Sequence, residues 1–91
     1  MKFEWDEHKR LTNIQRHEID FVGIEEVFQG LTVTILDDRF DYGEERFITF
    51  GLLNGFVLAV VHTETEETIR LISVRKATRN EETGYYEAIG N

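Results

Sequence analysis

The chain has 91 residues and contains neither cysteine nor proline. That length supports one domain with a modest core, and the lack of cysteine excludes disulfides, thiolate nucleophiles and zinc–thiolate sites. Ten basic residues stand against eighteen acidic ones, and the resulting net charge of −8 argues against a broad nucleic-acid-binding surface. A small basic site on an acidic body is still compatible with this composition.

The sequence shows no segment that would direct the chain into a membrane. Its longest apolar run, Phe56 to Val61, has the length of a strand rather than of a transmembrane helix. The N-terminus begins Met1-Lys2-Phe3-Glu4-Trp5-Asp6 and has no hydrophobic stretch of the signal-peptide kind. We therefore expect a cytoplasmic protein without a membrane partner, and a single domain over residues 1–91.

The first third of the chain combines a short strand with two helical patterns. Lys2–Trp5 predicts the strand, and Asp6 is a suitable N-cap for a helix over residues 7–16. A second helix is predicted over residues 21–29. Its apolar residues recur at i, i+3, i+6 and i+7, and they are Phe21, Ile24, Val27 and Phe28.

After Gly30 the pattern changes to the β-branched and aromatic composition of strands. The predicted strands cover residues 31–36, 46–52, 56–63 and 68–75. Asn54-Gly55 is a strong signal for a tight hairpin between the second and third of them. Thr78-Arg79-Asn80-Glu81 has the form of a capping box and predicts the start of a C-terminal helix.

Together these elements predict an α+β fold. The short turns between the four main strands favour an antiparallel sheet, and the N-terminal strand could be added at one edge. The helices over residues 7–16 and 21–29 should pack on one face of that sheet, because a lone sheet cannot bury its apolar side. A short helix should complete the C-terminus.

Three arginines are candidates for binding phosphate. Arg70 and Arg75 flank the apolar segment Leu71-Ile72-Ser73-Val74, and Arg46 begins a strand two before theirs. Arginine binds phosphate with two parallel hydrogen bonds and stabilises the charge that develops on it during transfer. The alternative is pairing with the abundant carboxylates. A spacing of five places Arg70 and Arg75 on opposite faces of a regular strand, so they can converge only if the strand is irregular.

Two histidines could move protons as a general acid or base. His17 lies between the two predicted helices, and His62 shares a strand face with Leu58 and Val60. The alternative for each is a histidine held by a structural hydrogen bond. Adjacent carboxylates such as Glu44-Glu45 point to opposite faces of a strand, so we expect no metal site and no cofactor.

Several short motifs, in their order and spacing, resemble the BrnT family. The resemblance extends from Phe3 to about Tyr86, and one departure is Glu18, where a glycine is usual in the family. The motifs are Phe3-Glu4-Trp5-Asp6, Lys9, Asn13, Arg16-His17, Gly43-Glu44-Glu45-Arg46, Gly51, Val60-Val61-His62-Thr63-Glu64 and Ile69-Arg70-Leu71-Ile72-Ser73-Val74-Arg75-Lys76-Ala77.

This resemblance implies a RelE-like ribonuclease toxin of a type II toxin–antitoxin system, which would cleave RNA without a metal and thereby inhibit translation. Its partner would be a BrnA-like ribbon-helix-helix antitoxin in a hetero-oligomer, through which the chain would meet operator DNA only indirectly. The resemblance implies functional positions at Lys9, His17, Glu45, Arg46, His62, Arg70 and Arg75. We expect Lys9 and Arg79 to bind the RNA substrate and the other six positions to be catalytic.

Two other hypotheses fit the same sequence. The chain could be a weakly active or inactive binding module that acts mainly through an antitoxin complex in transcriptional autoregulation, and its acidic surface favours a basic partner. It could also be an orphan domain of this fold with another ligand. Growth arrest on expression alone, and a ribbon-helix-helix protein in the adjacent reading frame, would separate these hypotheses.

Overall fold

The structure, a computed structural model, describes residues 1–90. Five strands, two α-helices and one 3₁₀ helix follow one another along the chain. In order they are β1 (Lys2–Trp5), α1 (Glu7–His17), the 3₁₀ helix (Ile24–Gln29), β2 (Val33–Asp37), β3 (Arg46–Leu53), β4 (Phe56–Glu64), β5 (Thr68–Lys76) and α2 (Arg79–Ala88). The predicted α+β class is confirmed.

All five strands form one mixed sheet in the order β1-β5-β4-β3-β2. The last four make the predicted antiparallel meander, and β1 takes the predicted edge position. β1 runs parallel to β5, a direction that the sequence left open, so the sheet is mixed. The turns fix the direction of strands that are neighbours in sequence, whereas the partner of β1 lies at the far end of the chain.

The predicted second helix is a 3₁₀ helix rather than an α-helix. Phe21, Ile24 and Val27 are wholly buried. Their spacing of three matches the three residues per turn of a 3₁₀ helix, in which such side chains lie in line. Gly23, with φ of +95°, precedes the first turn in a left-handed conformation that glycine adopts without strain. The pattern therefore identified the buried face correctly but not the period.

Apolar clusters cover both faces of the sheet. On one side, which we call the 3₁₀ face, the 3₁₀ helix packs on Leu58 and Val60 of β4 and on Leu71 of β5. On the other side, the α2 face, Tyr85 of α2 packs in a cluster with Ala59 of β4. β4 is consequently buried on both sides. The helices do not all lie on one face, because the C-terminal helix covers the second one.

α1 is joined to the sheet by a buried asparagine. The side-chain amide of Asn13 donates to the carbonyl oxygen of Val74 and accepts from its backbone N–H, both at 2.9 Å. The same amide nitrogen donates to the carbonyl oxygen of Ile19. β1 ends beside Leu71. Asn13 therefore satisfies the edge of β5 just where β1 stops, in the manner of one more strand residue.

The local signals for turns and caps are confirmed. Asp6 caps α1 by accepting from the backbone N–H of Lys9, and Thr78 and Glu81 form both bonds of the capping box. Asn54 and Gly55 both have positive φ, as a tight hairpin turn requires. None of the helices in residues 1–90 is long and apolar enough to cross a membrane.

Candidate functional site

The middle of β5 contains a β-bulge. His62 of β4 lies opposite Leu71, but its neighbour Val61 lies opposite Ser73, so Ile72 is an extra residue in β5. An extra residue shifts the alternation of side chains by one position. Residues of β5 that are an odd number apart across the bulge therefore point to the same face.

The bulge brings Arg70 and Arg75 to one face of the sheet. Their partners on β4 are Thr63 and Ala59, which lie on the same face because an even number of residues separates them. Ala59 packs in the cluster of the α2 face, so both arginines lie on that face. Four residues of β4 set their Cα atoms about 13 Å apart. The two side chains can therefore approach a shared group from opposite ends.

Arg46 lies in the same row of the sheet as Arg70. Phe47 is opposite His62, so Arg46 is level with Thr63, which is the partner of Arg70 on the other side of β4. Two strand spacings separate the Cα atoms of Arg46 and Arg70, or about 10 Å. The three arginines predicted from the sequence thus share the α2 face.

A basic cavity of about 240 Å³ lies between α1 and the bulge of β5. Ile72 and Ser73 line it from the strand, and its charged lining residues are Lys9, Arg16 and His17 of α1. These three share one side of α1, since they recur at the spacing of a helical face. Ser73 is level with Val61 on the α2 face, between Arg70 and Arg75. The cavity therefore adjoins the surface that carries the arginines.

Two of the three arginines are already paired with carboxylates. Arg75 donates to both carboxylate oxygens of Glu81 at 2.7 and 3.0 Å. These bonds hold the pKa of the Glu81 carboxyl at about 2, well below its ordinary value. Arg46 pairs with Glu44 at 3.2 Å, and its guanidinium lies 4.1 Å from the ring centroid of Tyr42.

Arg70 is exposed and differs from those two arginines. Its neighbour on β1 is Glu4. Within residues 1–90 it forms no ion pair, and the same holds for Lys9 and Arg16. Arg70 is therefore the arginine of the α2 face whose guanidinium is available without first displacing a carboxylate.

His62 lies on the opposite face from the arginines. Its ring is wholly buried, at 0 % exposure, between the rings of Phe28 and Phe47. Its Nε2 is 2.7 Å from the hydroxyl of Thr49. Burial lowers the pKa of the imidazole below its ordinary value, because the charged form is poorly solvated there. The structure therefore shows the hydrogen-bonded core histidine that was the alternative interpretation.

The remaining predicted residues, Glu45 and Arg79, lie outside the strands of the sheet. Glu45 is exposed in the residue before β3, and Arg79 is exposed in the first turn of α2. Sequence reasoning gave Asn13, Arg16 and Glu81 no part in the functional site. The spacing of Arg16 from Lys9 on α1 could have indicated that Arg16 belongs to the site. Nothing in the sequence shows that Glu81 reaches Arg75.

Within the described residues, no three histidine, aspartate or glutamate side chains come together as a metal-binding group. No curated protein matches the chain closely enough to count as a relative. A family profile described as "Ribonuclease toxin, BrnT, of type II toxin-antitoxin system" matches residues 5–81, which include α1, strands β2 to β5 and all three arginines. The chain therefore belongs to the BrnT family of ribonuclease toxins of type II toxin–antitoxin systems.

Proposed function

We propose that this chain is a metal-independent endoribonuclease whose substrate phosphate binds beside the cavity between α1 and β5. The observation that carries the proposal is a local reversal of charge. Lys9, Arg16 and His17 line the cavity, and Arg70 and Arg75 stand on either side of its strand residues Ile72 and Ser73 along β5, in a chain of net charge −8. A phosphodiester is the anion that such a group of cations suits, and membership of a ribonuclease family supports RNA as its source.

The proposed reaction uses the RNA's own 2′-hydroxyl as the nucleophile. The 2′-oxygen bonds to the adjacent phosphorus while its proton passes to a base, and the bond from phosphorus to the 5′-oxygen breaks while that oxygen gains a proton. The products are one RNA with a 2′,3′-cyclic phosphate and one with a 5′-hydroxyl.

His17 is the proton carrier in this proposal, since it is the half-buried imidazole of the cavity. Glu45, the exposed residue before Arg46, is a second proton carrier in this proposal. Arg70 stabilises the charge on the phosphate, and Arg75 joins it when Glu81 gives way. Lys9 and Arg79 hold neighbouring phosphates. No proton transfer is assigned to His62, whose ring the sheet separates from the cavity.

The decisive experiment is cleavage of a defined RNA by the purified chain, with and without EDTA. Cleavage should persist in EDTA and yield cyclic phosphate ends. Arg70→Ala should lower the rate by about 100-fold or more, and His17→Gln by at least about 100-fold. Lys76→Ala is the matched control, because Lys76 is a cation of the same strand whose partner, Leu58, lies on the 3₁₀ face. Equal rates for Arg70→Ala and Lys76→Ala would place the site elsewhere.

We further propose that the fold is RelE-like. The proposed partner is a BrnA-like ribbon-helix-helix antitoxin. Chain and antitoxin form a hetero-oligomer, in which the antitoxin contacts operator DNA. The family's two-component nature and the acidic charge of the chain support a basic protein partner. RNA cleavage would inhibit translation. Expression of the chain alone should therefore stop growth, and expression with the neighbouring reading frame should restore it and give one co-purifying species.

The ion pairs of Arg75 with Glu81 and of Arg46 with Glu44 favour a second candidate function. With both guanidinium groups occupied by carboxylates, the chain would be a weakly active or inactive module that acts through its antitoxin complex. RNA left intact by the chain alone, together with a stable complex that represses its own operator, would support this function over the first.

A further inference from the structure

The outer edge of β2 is unpaired and lacks the usual protection. β2 is the last strand in the sheet order, and its sequence, Val33–Asp37, contains no lysine or proline to block further pairing. Ile35 and Leu36 are about half exposed, at 49 % and 50 %, although both are large and apolar. Half of the backbone N–H and C=O groups of such an edge point away from the sheet and are available to another strand.

An apolar cavity opens beside this edge on the α2 face. It has a volume of about 310 Å³ and lies between β2, β3 and α2. Its lining consists of Val33 and Ile35 of β2, Phe50 of β3, and Glu81, Gly84 and Tyr85 of α2. A strand added to β2 would therefore place every second side chain in a preformed apolar groove.

The segment that follows β2 is acidic. Residues 37–45, which follow β2 directly, contain five carboxylates and one arginine. That arginine, Arg39, pairs with Asp37 at 2.7 Å, and Glu44 pairs with Arg46. The other three carboxylates, Asp38, Asp41 and Glu45, are exposed and form no ion pair within residues 1–90. A second copy of this chain would bring a further charge of −8 to the contact. The charge therefore favours a basic occupant over a second copy.

We propose that the antitoxin docks here, by adding an extended segment that alternates apolar residues with lysine or arginine to the free edge of β2. This rests on the proposed function, in which a basic antitoxin binds the chain. Apolar side chains of the segment fill the groove, and its cations meet the carboxylates of residues 37–45. Glu81 lines the groove and also holds Arg75, so the docked segment stabilises α2 in the position that keeps Arg75 from phosphate.

The first test measures the affinity of the full chain for the purified product of the adjacent reading frame. Ile35→Lys should weaken binding by about 30-fold or more, because it places a cation among the apolar side chains that fill the groove. Leu36→Lys, on the other face of the same strand, should weaken it less. Leu11→Lys on α1 is the matched control, since Leu11 is 54 % exposed and lies outside the groove. Equal affinities for Ile35→Lys and Leu11→Lys, with both variants folded, would overturn the docking site.

The second test is amide hydrogen exchange of the chain with and without that partner. Exchange of the amides of Val33–Asp37 should slow by about tenfold or more in the complex, and unchanged exchange there would overturn the proposal. A homodimer of the chain alone that Ile35→Lys makes monomeric would also overturn it, in favour of a self-interface. RNA cleavage by Ile35→Lys should match the wild type. If neither the wild type nor Ile35→Lys cleaves RNA, the ribonuclease proposal is refuted, but the binding result still stands.

Discussion

Replacement of Asn13 by alanine tests the contact that positions α1 beside β5. The side-chain amide of Asn13 makes three hydrogen bonds of 2.9 Å, two with the backbone of Val74 and one with the carbonyl oxygen of Ile19. Asn13 is 4 % exposed, so water cannot readily replace these bonds. The substitution removes all three at once and leaves backbone groups without partners.

The expected loss follows from those three bonds. A typical intramolecular hydrogen bond contributes about 1 kcal/mol to the free energy of unfolding, and a buried group left unpaired costs about as much or more. Asn13→Ala should therefore lower the free energy of unfolding by about 3 kcal/mol before any compensation. Alanine is the better helix former by roughly 0.5 kcal/mol, which offsets a small part. A net loss of about 2.5 kcal/mol lowers the Tm of a domain of this size by roughly 10–20 °C.

Urea and thermal unfolding, followed by circular dichroism, measure this difference. Asn80→Ala is the matched control, because Asn80 is an exposed residue of α2 with no side-chain bond among those of residues 1–90. That variant should stay within about 0.5 kcal/mol of the wild type. A loss below about 1 kcal/mol for Asn13→Ala, with an unchanged denaturant slope, would refute the view that this amide joins α1 to the sheet.

Three further predictions concern stability. Glu18 has φ of +58°, a left-handed conformation that strains a side chain, so Glu18→Gly should raise the unfolding free energy by about 0.5–1 kcal/mol; an unchanged Tm would contradict this. Gly51→Ala would place Cβ 2.6 Å from Cγ1 of Val27 and should lower the free energy of unfolding by about 1–3 kcal/mol. Gly84→Ala, whose Cβ would meet no atom within 4 Å, should not lower it. His62 has a lowered pKa, so only the unfolded chain takes up its proton near pH 6.5. Stability is then full above that pH and falls as pH drops below it, by up to about 1.4 kcal/mol per unit, and urea unfolding of His62→Gln should lack this part of the slope.

The parts of the fold that the sequence predicted are those determined by neighbouring residues. Asp6 and Thr78 each bond a backbone group within three residues, and Asn54-Gly55 provides the two positive φ angles of a turn by itself. The parallel pairing of β1 with β5 depends on packing between the two ends of the chain, which no local pattern encodes. The 3₁₀ helix was mistaken for an α-helix because three apolar residues at a spacing of three fit both periods.

The candidate site was predictable in its residues but not in its geometry. The need to bind phosphate singled out Arg46, Arg70 and Arg75, and the structure brings all three to the α2 face. Whether Arg70 and Arg75 could share a face depended on a bulge, and Ile72, the extra residue, is neither glycine nor proline and gives no sign of it in the sequence. The pairing of Arg75 with Glu81 was equally hidden, since it depends on where α2 returns to the sheet.

The order of the strands separates the two kinds of charge that the composition mixes. The basic cavity lies beside β5 near one edge of the sheet, whereas the acidic residues 37–45 follow β2 at the other edge. A net charge of −8 repels RNA at long range, so the charge of the body cannot steer substrate to the cavity. Binding must then depend on contacts at close range, which salt screens least. Arg70 is the arginine of the α2 face that can make such a contact without first breaking an ion pair, and for that reason it should carry more of the activity than Arg46 or Arg75.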